Sequence, residues 1–241
     1  MTIDFQAHLE AYREALLGDT IPFWLRHGMD REHGGVLTCL GRDGAVIDTD
    51  KSVWFQGRFA WMLATLHNTV EERQEWLEAA VSCLDFLEEH AFDEDGRMFF
   101  LLTQEGKPLR KRRYVFSEAF ACMAFAAAAK ATGSDAYAER ARSLFQTFTR
   151  HSYEPGLIPP KTDQTTRPGK GIGPVMICLN LAQVLRETIG LTDADDWIER
   201  CVTELERDFC KPELGVVLET VGPDGEIIDH FDGRTLNPGH A

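Results

Sequence analysis

Residues 51–66, KSVWFQGRFAWMLATL, decide how the rest of the chain is read. On a helical period Trp54, Arg58, Trp61 and Thr65 share one stripe, with Phe55, Met62 and Leu66 beside it. A helix apolar on nearly every side belongs inside a protein, so Arg58 is expected to be a buried guanidinium held by an anionic or oxygen-rich partner. Two readings of Arg58 stay open. It is either a structural arginine paired with a core carboxylate, or a ligand-holding arginine with Trp54 one turn away on the same face.

Outward from this stretch the chain repeats. Amphipathic helices are predicted to begin at about Asp4, Val70, Asp135 and Asp193, and apolar ones near Lys51, Phe116, Gly173 and Pro238. The first amphipathic helix, Asp4 to His27, is expected to be interrupted near Gly18 and Pro22. Links from apolar to amphipathic helices are short. The reverse links are long and carry turn signals, which predict strand pairs over Gly34–Asp48, around Glu105–Pro108 and over Gly215–Ile228. Alternating all-apolar and amphipathic helices describe concentric inner and outer layers. The long links then collect beside the inner-helix N-termini, where partial positive charge and loop residues favour a ligand site.

Composition narrows the function classes. Of 241 residues 44% are hydrophobic, enough for one sizeable core, and the net charge is −14. A surface that acidic disfavours nucleic acid and anionic membranes as partners. No apolar run reaches transmembrane length, and the first residues lack a basic stretch followed by an apolar one, so a cytoplasmic protein is expected. The six cysteines show no C-x-x-C spacing and read mostly as buried thiols.

The last residues, Asn237-Pro238-Gly239-His240-Ala241, read as a helix start. Asn237 suits the cap and Pro238 the first helical position. The helix dipole then disfavours imidazolium at His240, which leaves a neutral base near pH 7. His8, His27, His67, His90 and His151 sit on or beside helices without metal-binding spacing. His33 and His230 fall in the long links, where a structural role is the simpler one. GKGIG at residues 169–173 follows no predicted strand and reads as a flexible link. The basic run from Lys107 to Arg113 reads as a solvated hairpin arm.

At these residues the chain resembles the N-acylglucosamine 2-epimerase family. GGVLTCLGRDG (34–44) with DKSVWFQGRFAWM (50–62) looks like that family's first hairpin and second helix. YVFSEAFACMAFAAAAKATG (114–133), GPVMICLNL (173–181), VVLETV (216–221) and NPGHA (237–241) match further segments in order. The resemblance implies an all-α (α/α)6 toroid with short β-hairpins at one mouth. Residues 1–241 would be a single incomplete domain holding about the first four of six hairpins.

It also implies a sugar isomerase that inverts C2 of a ring-opened N-acyl hexosamine (N-acetylglucosamine or N-acetylmannosamine), with no required metal or redox cofactor. ATP is a conceivable effector, since some family members respond to it. By resemblance His240 is a catalytic base, Arg58 holds the sugar, and Trp54 lines the pocket. Glu118 and Glu219 match acidic positions near it. Met176 stands where cellobiose 2-epimerases and aldose–ketose isomerases of this fold have a histidine, which favours the N-acylglucosamine branch. An acid on the opposite sugar face has no clear candidate here, so the chain alone is expected to bind sugar poorly and to epimerise slowly or not at all. An open ring exposes apolar flanks, so a homodimer, or a non-catalytic sugar-binding remnant, is the second expectation.

Overall fold

The structure, a computed structural model, describes residues 4–236. It is built of helices joined by short strands, and it divides into two compact units, one ending at Arg112 and one beginning at Arg113. The unit ending at Arg112 opens with a continuous helical rod. Its parts are α1 (Phe5–Arg13), a widened π segment (Glu14–Thr20) and α2 (Ile21–His27). The interruption expected near Gly18 and Pro22 is therefore a wide turn rather than a break. Pro22 has no N–H to give to the preceding turn, and the π segment directly before it absorbs that defect without ending the helix.

Two inner and outer helices follow, α3 (Val53–Thr69) and α4 (Gln74–His90). They pack through small residues: α3 buries Gly57, Ala60 and Ala64, and α4 buries Ala79, Ala80 and Cys83. Small side chains let the backbones approach closely, and Leu63, Trp76, Leu84 and Leu87, all at 0% exposure, fill the remaining space. Strands β1 (Cys39–Leu40) and β2 (Val46–Asp48) form the expected antiparallel pair. Strand β3 (Lys51–Ser52) leads directly into α3 and pairs with β4 (Leu101–Leu102), which pairs with β5 (Pro108–Arg110).

The first two repeats close in the same way. Each outer helix ends in a phenylalanine–histidine pair one turn apart, Phe23–His27 and Phe86–His90, with ring centroids 5.0 Å apart in both. Each histidine then lies under a hairpin glycine with positive φ, Gly44 at +84° and Gly106 at +87°. A Cβ at Gly44 would stand 2.3 Å from the His27 ring, and one at Gly106 would stand 2.2 Å from the His90 ring. Glycine is required there twice over, by backbone angle and by space.

The unit beginning at Arg113 contains α5 (Phe116–Thr132), α6 (Asp135–Tyr153), α7 (Gly173–Ile189) and α8 (Ala194–Glu204), which runs into a π segment, Leu205–Phe209. α5 packs against both α6 and α7, and twelve of its residues are buried. Its alanines supply both helix propensity and close approach. The strand pair expected within 215–228 does not form. Instead β8 (Val216–Val217) pairs back with β7 (Cys210–Lys211), and β9 (Thr220–Val221) pairs with β6 (Lys170–Gly171). Cys83, Cys122, Cys178 and Cys201 are buried as expected, whereas Cys39 is exposed and Cys210 half-buried.

One buried ion pair ties the first unit together. Lys51 has no exposed surface, and its Nζ donates to Asp30 Oδ2 at 2.8 Å, the Gly34 carbonyl at 2.7 Å and the Gln104 carbonyl at 2.8 Å. The same ammonium lies 4.2 Å from the centroid of the Phe86 ring. Burial opposes the charge on Asp30, but bonds from Lys51, the His33 and Glu32 amides and Gln104 outweigh it and hold the carboxyl down at about 2.

Replacing Lys51 by Met strands that carboxylate and should cost about 3–5 kcal/mol of stability, read from urea unfolding. Asp30 also leaves a pH signature. Its folded pKa lies below the unfolded value of about 3.9, so its contribution is complete above that pH and is lost as pH falls toward about 2. The Asp30→Asn variant should be less stable at neutral pH and show a flatter stability curve between about pH 4 and 2.

Candidate functional site

The residues picked out in sequence fall into one group in each unit. In the first unit the site lies at the start of α3. Strand β3 delivers the chain to Val53, whose amide donates to the Phe100 carbonyl at 3.0 Å, and this fixes the first turn of α3 against the three-stranded sheet. Gln56 holds the turn from within: its buried amide group accepts from Val36 N at 2.8 Å and donates to Val36 O at 2.6 Å. The buried face of α3 is Val53, Gln56, Gly57, Ala60, Leu63 and Ala64, a single helical stripe.

Arg58 is on the other side. It is exposed, as is Phe55 at 50%, so the expectation of a buried guanidinium is corrected. The physical reason is that small residues and Gln56, rather than the tryptophans, take the core-facing positions. Trp54 and Trp61 are half-buried. The Arg58 guanidinium carbon lies 5.8 Å from the Trp54 ring centroid, and partial burial lowers its pKa while leaving it cationic.

A second cation joins this group that sequence reasoning placed in a solvated arm. Arg112 lies 3.8 Å from the Phe100 centroid and 5.3 Å from that of Trp54, and Phe100 meets Trp54 edge to face at 5.1 Å. Two guanidiniums thus flank one indole. The signal was out of reach in sequence, because only the pairing of β3, β4 and β5 carries residue 112 back beside residue 54. The rest of the arm does behave as solvated surface, with Lys111 bridging Asp93 and Asp95 at 2.7 Å.

In the second unit Glu118, Met176 and Glu219 gather around the N-terminal ends of α5 and α7. Glu118 is fully buried in the first turn of α5, close to the positive end of that helix. Met176 is half-buried in the first turn of α7, its amide donating to the Ile172 carbonyl at 3.1 Å. The half-buried Glu219 stands beside the same helix start, since its carbonyl accepts from Ile172 N at 2.9 Å. The Phe116 ring would lie 3.7 Å from a Cβ at Gly173, which places the two helix starts side by side. Tyr114 stacks on Phe116 at 5.2 Å, and both line a cavity of about 280 Å³ with Val115, Ile158 and Pro174.

His240 lies outside the described residues. The link at 169–173 is ordered rather than a flexible loop: Lys170–Gly171 form β6, Gly173 opens α7, and Lys170 pairs with the buried Asp208 and with Glu204 at 3.6 Å. A cleft of about 610 Å³ is walled by charged residues of α8 such as Asp196, Glu199, Arg200 and Glu204 and includes none of Trp54, Arg58, Glu118, Met176 and Glu219. Among the described residues no three histidines, cysteines or carboxylates gather as a metal would require, and no helix is long and apolar enough to cross a membrane.

The family profile described as N-acylglucosamine 2-epimerase (GlcNAc 2-epimerase) matches residues 35–241. The chain belongs to the N-acylglucosamine 2-epimerase family. It is 37% identical to N-acylglucosamine 2-epimerase of Rattus norvegicus over 93% of its own length and 55% of the relative's. With the Homo sapiens enzyme it shares 33% identity over 97% of this chain and 57% of that one. The chain therefore spans little more than half the length of these relatives.

Cellobiose 2-epimerase of Eubacterium cellulosolvens is more distant, 28% identical over 52% of this chain. Among solved structures, cellobiose 2-epimerase from Bacillus thermoamylovorans superposes with a TM-score of 0.81 at 15% identity, covering 92% of this chain and 61% of that one. A sugar epimerase from a ruminal bacterium gives 0.77 at 19% identity, over 92% and 60%. These likenesses assign the helical hairpins to the (α/α)6 toroid fold class.

The pair of guanidiniums around Trp54 can be tested without a substrate. Iodide should collect beside that indole and acrylamide should not. Arg58→Ala and Arg112→Ala should each lower iodide quenching of tryptophan emission modestly, because Trp54 is one of five tryptophans, while leaving acrylamide quenching no lower.

Proposed function

We propose that the protein acts in N-acyl-D-glucosamine 2-epimerase chemistry, interconverting N-acetylglucosamine and N-acetylmannosamine through removal and return of the proton at C2 of the ring-opened sugar. The observation that carries this reading is the match to mammalian N-acylglucosamine 2-epimerases along nearly the whole chain, at 33–37% identity. The cellobiose 2-epimerases match a shorter stretch at lower identity, which leaves the disaccharide reading less supported. Met176 at the start of α7 fits the same branch.

The chemistry divides among the residues as follows. A proton next to a carbonyl is weakly acidic, and its removal requires a positioned base together with donors facing the developing enolate oxygen. His240 is the base on one face of C2. Arg58 binds the carbonyl or adjacent hydroxyl oxygens and stabilises their growing negative charge. Trp54 offers an apolar wall to the sugar, and Glu118, Glu219 and Met176 contribute to binding at the helix starts of the second unit. The Arg58 guanidinium lies 5.8 Å from the Trp54 ring centroid, and its planar set of donors suits paired sugar oxygens.

A single base can exchange the C2 proton with solvent even where inversion is slow. Incubated with N-acetylmannosamine in D2O, residues 1–241 should incorporate deuterium at C2 slowly, with little N-acetylglucosamine formed. His240→Ala should reduce that exchange by about 10²–10⁴-fold, and Arg58→Ala should weaken sugar binding. Exchange that ignores both substitutions, or rapid exchange with full product formation by residues 1–241, would overturn the assignment.

A further inference from the structure

In the second unit α6, α7 and α8 meet at a group of side chains that the sugar chemistry does not use. Cys178 of α7 and Cys201 of α8 have no exposed surface, and their thiols share a hydrogen bond. The Tyr153 hydroxyl, at the end of α6, lies 3.7 Å from Cys201 Sγ. The other two buried thiols are placed differently. Cys122 Sγ donates to the Ala141 carbonyl at 3.2 Å, and Cys83 belongs to α4 in the first unit. We propose that Cys178 and Cys201 are a peroxide-oxidisable pair that closes to a disulfide, tying inner helix α7 to outer helix α8.

Contact, reactivity and access all favour this pair. α7 and α8 pack along one another, so the two sulfurs need only close from hydrogen-bond contact to an S–S bond of about 2.05 Å. The nucleophile in thiol oxidation is the thiolate. The hydrogen bond from Cys178, helped by that from Tyr153, holds the Cys201 thiol below its ordinary value although burial opposes this. Giving that bond, together with burial, holds the Cys178 thiol up. Cys201 is therefore the attacking sulfur and Cys178 the resolving one. Burial pushes the Cys83 and Cys122 thiols up as well, which leaves them inert by comparison. Tyr153 and Arg200 line the cleft of about 610 Å³, and the Arg200 guanidinium carbon lies 4.2 Å from the Tyr153 ring centroid. Since Tyr153 both lines the cleft and touches Cys201, movement of this one half-buried ring admits a molecule as small as hydrogen peroxide.

The chemistry balances in two steps. The Cys201 thiolate attacks one peroxide oxygen, an S–O bond forms, the O–O bond breaks, and the departing hydroxide takes up a proton to leave as water. The Cys178 sulfur then attacks the sulfenic sulfur, the S–S bond forms, the S–O bond breaks, and hydroxide leaves as water with the Cys178 proton. Two thiols lose two electrons and two protons, and one peroxide becomes two waters.

The test uses residues 1–241 carrying Cys39→Ser and Cys210→Ser, which leaves the four buried thiols. In a modest excess of hydrogen peroxide the folded chain should lose two hydrogens by intact mass. A non-reduced digest should yield one linked pair of peptides, holding Cys178 and Cys201, and dithiothreitol should restore the starting mass. The urea midpoint of the oxidised chain should rise, because the bond closes a loop in the unfolded state. Cys178→Ala should stop the link and leave a sulfenic acid at Cys201 that dimedone captures, whereas Cys201→Ala should give neither. Circular dichroism matching the parent checks that each variant folds, and the linked peptide of the parent is read without any variant. Links that join Cys83 or Cys122 instead, dimedone capture at Cys178 in place of Cys201, or a chain unchanged by peroxide overturn the proposal.

Discussion

An ammonium group with no exposed surface stands between three segments of the first unit. Lys51 binds the turn at Asp30–Gly34, the hairpin entrance at Gln104 and the ring of Phe86, and two residues later its chain enters α3. Removing a full charge from water carries a large desolvation cost, which is offset here by four partners arranged around one nitrogen. An arrangement that demanding has few alternatives, so it determines where α3 begins. Trp54 and Arg58 lie in the first turns of that helix. Their direction, and the meeting of Trp54 with Phe100 and Arg112, therefore depend on a contact that takes no part in the chemistry.

Much of the architecture was legible in sequence because helices write their period locally. The bounds of α5 and α7 agree with the residue pattern, and Ser134, capping Tyr137 N at 3.4 Å, marks the start of α6 as its side chain predicts. Strand partners were not legible. Segments of two or three residues carry almost no pairing preference of their own, so Val216–Val217 and Thr220–Val221 take partners that tertiary packing supplies. The burial of Arg58 was misjudged for a related reason. Hydrophobicity counts identify an apolar helix, but they do not say that Gly57, Ala60 and Ala64, being small, will take the packed face from Trp54 and Trp61.

Cations in this acidic chain show how the same residue type divides between roles. Lys170 and Arg207 converge on the buried Asp208, where they hold its carboxyl well below the usual range, burial notwithstanding. Lys111 is engaged by two surface carboxylates. Arg58 and Arg112 instead have aromatic rings as neighbours, Trp54 at 5.8 Å and Phe100 at 3.8 Å. Sequence position alone does not separate these cases, since Arg112 is adjacent to Lys111.

The histidine under each hairpin glycine gives the first two repeats a common joint. His27 with Gly44 and His90 with Gly106 fasten the tip of a hairpin to the end of the helix before it. A hairpin pinned at its far end cannot lengthen there without losing the fit, whereas the strand leading into the next helix remains open to change. Divergence among copies of such a repeat is thereby channelled to one side of the loop, the side that delivers residues to the start of each inner helix. The joint serves as a fixed hinge-pin around which new specificities can be tried while the scaffold stays in register.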